Sequence, residues 1–475
     1  MMNELISRDI HTLAAGLQRK DFSAVELVRA HIDRIRSREA DISALITQTE
    51  EHALARAAEA DARLAEGDAP LLCGIPFVLK DNICTEGIPT TCASRMLADY
   101  IPPYSATAYA RLRKAGAVLL GKGNMDEFSM GSSTENSAFY PTRNPLDPIR
   151  VPGGSSGGPA AAVAAGEAPF ALGSDTGGSI RQPAAFCGLV GMKPTYGTVS
   201  RHGLVAFASS LDQIGPLTRT VRDNAAVLSC ISGPDGQDDT ARYTFAAAED
   251  LFSGDIRGIT VGLLRFPGDE TDSAVRAAIE DTAAALAERG AQIREVTLPA
   301  LKDALPAYYI LSSAEASANL ARYDGVRYGA RAGSAGTPDE LFCTTRSTYF
   351  GPEVRRRILL GTYALSAGHR DAFYLRAQNA ARRIRTAFAE NFAVCDCLLC
   401  PTAPTVAFPF REKTDPVAMY LGDLFTVPAS LAGIPAISLP CGTSDGLPIG
   451  AQIMAAAGND GLLYRLAAVI EEVHA

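Results

Sequence analysis

No apolar run in this chain approaches the roughly 18 residues that a membrane-crossing helix needs. The N-terminus, Met1-Met2-Asn3-Glu4-Leu5, lacks the basic and apolar regions of a secretory signal. Together these absences lead to the expectation of a cytoplasmic protein with no membrane partner. Positive charge is short as well: 44 Lys and Arg against 53 Asp and Glu leave a net charge of −9. Gripping a nucleic-acid backbone requires a basic face, so this chain alone is not suited to it. Disulfide spacing is missing, and the ten cysteines are expected to be free thiols in a reducing cytosol. Cys395-Asp396-Cys397-Leu398-Leu399-Cys400 resembles a metal motif, but no nearby histidine or second Cys-x-x-Cys completes a ligand set. Val394 to Pro401 reads better as a buried strand in which cysteine acts as a small hydrophobe. No metal and no resident cofactor are expected. Internal repeats and low-complexity segments are also absent.

What is present is an ordinary globular composition over 475 residues, 47% hydrophobic and 20% charged. Helical and strand signals alternate. Ser23-Ala24-Val25-Glu26 is a capping box that opens an amphipathic helix to about residue 38, and a second helix covers about residues 50–66. Ile75–Leu79 and Ala117–Gly121 read as strands with a helix over Ser105–Ala115 between them, and Asn124 to Asn136 as a polar loop. Gly258–Leu264, Asp272–Arg289 and Ala291–Val296 form a strand–helix–strand unit, which implies parallel pairing. Residues 300–393 are mostly helical around a loop at Gly333–Pro338. Strands return at Val394–Cys400, Ile434–Leu439 and Ile449–Met454, before a last helix from Asp460. Both halves supply strands, so one α/β domain is expected over residues 1–475, built on a large mixed β-sheet covered on both faces by helices. Within it, residues of about 1–70 form a helical N-terminal part, about 71–220 a core, and the remainder completes the sheet and a substrate pocket.

The densest chemistry lies between Gly153 and Pro194. Gly153-Gly154-Ser155-Ser156-Gly157-Gly158 is joined by the Ala-rich Ala160–Ala165 to Gly173-Ser174-Asp175-Thr176-Gly177-Gly178-Ser179-Ile180-Arg181. A Ser/Gly run is usually a flexible linker. The apolar flanks Ala160–Ala165 and Cys187–Met192 argue for a buried setting instead. Gly153–Gly157 fits the G-x-S-x-G pattern of a nucleophile elbow, but Pro145, Pro148 and Pro152 occupy the place of the strand that an elbow needs. His202, His369 and His474 are the downstream histidines, and none has a distinctive setting. A phosphate cradle is matched only by Gly116 to Gly123, where Gly123 replaces the required Ser or Thr.

The run Gly153–Pro194 resembles the signature of the amidase signature family of serine hydrolases, with Ser155 and Ser179 spaced 24 residues apart as in that family. The family uses a Ser–Ser–Lys triad and needs a lysine at the end of an apolar strand upstream. Ile75-Pro76-Phe77-Val78-Leu79-Lys80 provides one. A lysine with the ordinary pKa of about 10.4 is protonated at neutral pH and is no base, but burial lowers that value by up to roughly 3–5 units. The resemblance implies the amidase signature fold, Ser179 as nucleophile, Ser155 with a cis peptide bond as proton relay, and Lys80 as base. Thr176, Gly177 and Gly178 are placed to supply oxyanion donors. Lys193 is a rival base, but Pro194 follows it directly.

Three further stretches, Ala206–Pro216, Tyr308–Leu320 and Arg356–Tyr363, are similar to the glutamine-handling members of the family that serve aspartyl/glutamyl-tRNA amidotransferases. Such chains release ammonia from glutamine for a partner that amidates Glu or Asp misacylated on tRNA. The resemblance implies B and C subunits as partners, contact with tRNA through the complex, and ATP and Mg used by the partner. It also implies Arg357 for the glutamine α-carboxylate and Asp423 for its α-ammonium, with Ser129 and Tyr308 lining the pocket. The plainer readings are a solvated Arg357 within Arg355-Arg356-Arg357 and a helix-capping Asp423. Pro159 and His202 depart from the family pattern. A non-catalytic scaffold protein and a stand-alone amidase are the alternatives.

Overall fold

The structure, a computed structural model, describes every residue except 1, 68, 267–270, 334–335 and 475. Of the loop expected at Gly333–Pro338, Ser334 and Ala335 therefore lie outside the described residues. The strands, in chain order, are β1 Leu45–Gln48, β2 Pro76–Lys80, β3 Val118–Gly123, β4 Phe170–Asp175, β5 Val190–Lys193, β6 Gln213–Thr218, β7 Thr260–Arg265, β8 Gln292–Thr297, β9 Cys397–Pro401, β10 Ala436–Ser444 and β11 Leu447–Ala455. They pair into one sheet in the order β1-β3-β2-β4-β6-β5-β10-β11-β9-β7-β8. β2 runs parallel to β3 and β4, and β7 runs parallel to β8 and β9. The other neighbours are antiparallel, so the sheet is mixed.

Alternation along the strands shows how both faces are covered. In β9, Cys397 and Leu399 join one buried apolar cluster while Leu398 and Cys400 join the other. β7 divides in the same way, Val261 and Leu263 against Leu264. The first cluster is roofed by helices Ile10–Arg19, Ala24–Ile42, Val221–Ile231, Ser273–Glu288 and Asp460–His474, and the second by Ala304–Asn319 and Arg376–Asn391. Because Cys397 and Cys400 point to opposite faces of β9, one ion cannot collect both thiolates. Residues 397–401 are a buried strand, as the sequence suggests, but Val394, 51% exposed, lies in a turn before it.

Local signals translate directly into elements. Ser23 Oγ accepts from the Glu26 amide at 3.1 Å, and the Glu26 carboxylate accepts from the Ser23 amide at 2.8 Å. This capped helix runs on to Ile42, beyond the expected end, and stops at Ser43, whose φ is 56°. Strand β7, the helix Ser273–Glu288 and β8 form the expected parallel unit. Residues 144–152 hold no strand, only an isolated bridge from Arg150 to Pro409, so the segment before Ser155 is not an elbow. Strands β1, β4, β5 and β6 have no counterpart in the sequence reading. β4, β5 and β6 are buried along their whole length. A strand covered on both faces loses the apolar–polar alternation of a half-buried one, and these three, unlike the equally buried β2 and β9, also break their apolar runs with Gly173, Gly191 and Gly215. Pro216 stands inside β6, opposite Leu172 of β4, and conceals it further. Among the described residues no helix is long and apolar enough to cross a membrane.

Candidate active site

β2 and β4 are adjacent and parallel, so their C-terminal ends open at the same edge of the sheet. β2 ends in Lys80 and β4 ends in Asp175, four residues before Ser179. Lys80 is wholly buried, and its Nζ lies 2.7 Å from Ser155 Oγ and 3.2 Å from the Ser174 carbonyl. Burial pushes this amine down to about 7, against the pull of Asp126, Asp175 and Asp212. Near neutrality, either Nζ or the serine hydroxyl can therefore donate across that distance.

The Gly154–Ser155 peptide is cis. The Gly154 amide donates to Gln182 Oε1 at 2.9 Å, and the Ser156 amide donates to the Ser179 carbonyl at 3.1 Å. The second bond sets the backbone after Ser155 directly against that of Ser179. Ser156 also opens the helix Gly157–Ala164. Pro159 falls in the first turn of this helix, where an amide has no intrahelical acceptor to lose, so this departure from the pattern is accommodated. His202 lies elsewhere, with its ring 5.3 Å from that of Tyr104.

The loop from Thr176 to Ser179 is held from three sides. Thr176 donates its hydroxyl to the buried Asp212 at 2.6 Å. A Cβ at Gly177 would stand 2.5 Å from the Tyr308 ring, and one at Gly178, whose φ is 146°, would stand 2.3 Å from Thr426 Oγ1. Thr426 Oγ1 donates to the Gly177 carbonyl at 2.6 Å. Only glycine fits at both positions, and their amides meet no protein acceptor among the described residues. Behind the loop, Arg181 forks onto Asp175 through Nε at 3.0 Å and Nη2 at 2.9 Å, with both side chains fully buried. Burial alone would raise the Asp175 carboxyl, but Arg181 holds it below the ordinary value.

Lys193 is excluded as the base by geometry. It too is pushed down to about 7 by burial, but its Nζ donates to the carbonyls of Ile434 at 2.6 Å and Pro194 at 3.1 Å.

The expected substrate residues gather beside the loop. Arg357, on the helix Pro352–Leu365, is 3% exposed, whereas Arg355 and Arg356 are solvent-exposed. Its Nε donates to Glu353 at 2.7 Å, and its guanidinium lies over the rings of Tyr309 at 4.8 Å and Tyr420 at 5.1 Å. The reading of a solvated arginine fails. The Asp423 carboxylate accepts from Tyr309 at 2.6 Å and from Ser132 at 3.0 Å rather than capping a helix. Burial pushes Asp423 up to about 6, although Tyr309 and Ser132 stabilise its anion. Tyr308 packs against Gly177, and Ser129, at φ 65°, accepts from Asn82 at 3.0 Å.

Sequence reasoning missed Tyr309, Ser132 and Glu353, which link Asp423 and Arg357 to their surroundings. It also missed Asn82, which donates to both Ser129 and Ser174. Adjacency to named residues was their only signal: Tyr309 follows Tyr308, and Glu353 stands four before Arg357 on one helical face.

The Amidase family profile matches residues 26–464. The glutamyl-tRNA(Gln) amidotransferase A chain of Thermoanaerobacter pseudethanolicus is 52% identical over 479 residues, covering 99% of this chain and 97% of that protein. The crystal structure of the corresponding amidotransferase chain from Thermotoga maritima superposes with a TM-score of 0.81 at 39% identity, covering 98% of this chain and 95% of the other. The peptide amidase of Stenotrophomonas maltophilia superposes with a TM-score of 0.84 at 30% identity, covering 98% and 97%. The chain belongs to the amidase family.

Proposed function

We propose that this chain is the glutamine-hydrolysing component of a glutamyl-tRNA(Gln) amidotransferase. Two amidases of different specificity superpose equally well, so backbone shape does not select the substrate. The observation that carries the reading is the pair of opposite buried charges, Arg357 and Asp423, beside the Ser179 loop. Glutamine brings an α-carboxylate for the first and an α-ammonium for the second. Near-full-length likeness to the amidotransferase chains supports the same substrate.

In this reading neutral Lys80 takes the Ser155 proton while Ser155 takes that of Ser179. Ser179 Oγ bonds to the side-chain amide carbon of glutamine, and the oxyanion receives the amides of the Thr176–Gly178 loop. The C–N bond then breaks, Ser155 returns a proton to the leaving nitrogen, and ammonia departs. Water, deprotonated through the same relay, hydrolyses the glutamyl ester to glutamate. The ammonia passes to a partner, which uses ATP and Mg to amidate misacylated tRNA, within a complex that includes B and C subunits. The test is ammonia release from glutamine, butyramide and a peptide amide by the assembled complex. Preference for glutamine supports the reading, and preference for the peptide amide overturns it.

A further inference from the structure

The Arg357 guanidinium is buried before any substrate arrives. A buried cation without a partner is costly, so something in the protein must already balance it. Glu353, one turn earlier on the same helix, does so by accepting from Arg357 Nε at 2.7 Å. Tyr420 donates to the same carboxylate oxygen at 3.0 Å, while Arg356 bonds the other oxygen. Glu353 is itself 8% exposed. Burial alone would raise its carboxyl, but Arg357 and Arg356 hold it below the ordinary range, so it is an anion at neutral pH.

A guanidinium is a rigid fork of five donors. With Nε engaged by Glu353, the end-on pair Nη1 and Nη2 is left to meet a second carboxylate. Among the described residues neither Nη has a protein acceptor. Tyr420 also stacks on Tyr309, with centroids 3.8 Å apart, and Tyr309 donates to Asp423. The brace on Arg357 thus continues through two rings to the group opposite it.

We infer that Glu353 is a positioning residue for glutamine: it orients Arg357 so that its two terminal nitrogens present themselves together to the substrate α-carboxylate. The inference rests on the reading of Arg357 as the carboxylate anchor. Glu353 touches no reacting atom, so its removal weakens substrate binding and leaves the chemical step alone.

The experiment compares Glu353→Gln, Glu353→Asp and Glu353→Ala in the assembled complex. Glutamine affinity is measured by calorimetry in a Ser179→Ala background, and turnover of glutamine and butyramide with Ser179 present. Glu353→Ala should weaken glutamine binding about 10- to 100-fold, the worth of one hydrogen bond to a charged group. Glu353→Gln, which keeps an acceptor for Nε and the shape of the side chain, should lose less. Turnover at saturating glutamine and butyramide hydrolysis should be unchanged, while the melting temperature falls in Glu353→Ala, which leaves the buried Arg357 unbalanced. Should Glu353→Ala not fold, the isosteric Gln variant decides the matter by its glutamine affinity alone. Unchanged or tighter glutamine binding in folded variants overturns the inference while leaving the proposed function standing, as does an equal loss on both amides. A wild-type complex that cleaves butyramide but does not bind glutamine overturns the functional reading, and the inference with it.

Discussion

Lys80 and Lys193 are both wholly buried at the ends of strands, and burial brings both down to about 7, but only Lys80 touches a serine. A lowered pKa makes an amine available as a base; the 2.7 Å approach to Ser155 gives it something to deprotonate. Lys193 spends its donors on backbone carbonyls of Pro194 and Ile434, so its part is to close the chain around β5.

Lys80→Arg keeps the positive charge but cannot give up a proton, so it should be as inactive as Lys80→Ala. Lys193→Met should keep turnover per folded molecule and lose about 1–3 kcal/mol of stability, because the Ile434 carbonyl loses its partner. In the proposed mechanism the neutral amine is the active form. The rate at saturating glutamine should therefore climb as pH rises through about 7 and fall below it. A pH–rate profile on the wild type, with melting curves on the variants, checks all three; turnover by the arginine variant would make Lys80 merely electrostatic.

Ser179→Ala should fold normally and lose roughly 10⁴- to 10⁶-fold in rate, as loss of a triad member does. Gly178→Ala should also be damaging, though less so, without removing any reacting group. Its φ of 146° and the Thr426 hydroxyl 2.3 Å from the new Cβ force the loop to move. The strain costs about 1–3 kcal/mol, and a shift of about 1 Å at the nucleophile costs about 10²-fold in rate. Active-site titration with an acylating ester would show whether Ser179 is still presented. Full labelling of the alanine variant at Gly178 would contradict the cramped-loop account.

The core of the candidate site could be proposed from the sequence because it is nearly contiguous. Ser155, Thr176, Gly177, Gly178 and Ser179 fall within one run, and Lys80 announces itself by ending an apolar strand. The pocket around Arg357 is assembled from the loop at Ser132, the helix holding Tyr309, the helix holding Glu353 and the short turn ending at Asp423. No local pattern links four such distant segments. The sheet failed at its centre for a different reason. β4, β5 and β6 interrupt their short apolar runs with Gly173, Gly191, Gly215 and Pro216, whereas the equally buried β2 and β9 read as unbroken apolar stretches. The edge unit around β7 and β8 was readable because β8 keeps exposed positions.

Arg357→Ala and Asp423→Ala should each raise KM for glutamine strongly, since each leaves a substrate charge or a protein charge unpaired in a buried pocket. Butyramide, which lacks the α-groups, should be hydrolysed as before. The pH dependence differs from that of the rate. Asp423, raised by burial to about 6, is neutral below that value and no longer balances an ammonium, so KM for glutamine should rise as pH falls through about 6. Equal losses on both substrates would make these two residues structural.

Hydrolysis by the isolated chain should be slow and should accelerate when partner proteins are added, and again with misacylated tRNA and ATP. In the proposed complex a chain of net charge −9 is poorly suited to hold tRNA, and another component is expected to do so. Ammonia released into bulk water is protonated and lost, so hydrolysis uncoupled from an occupied acceptor site wastes glutamine. Coupling requires partner and charged tRNA to bind the productive arrangement more tightly than the idle one. Each addition is then a measurable increment in the rate of glutamate formation at fixed glutamine. A full rate from the isolated chain, unmoved by every addition, would instead identify a stand-alone amidase.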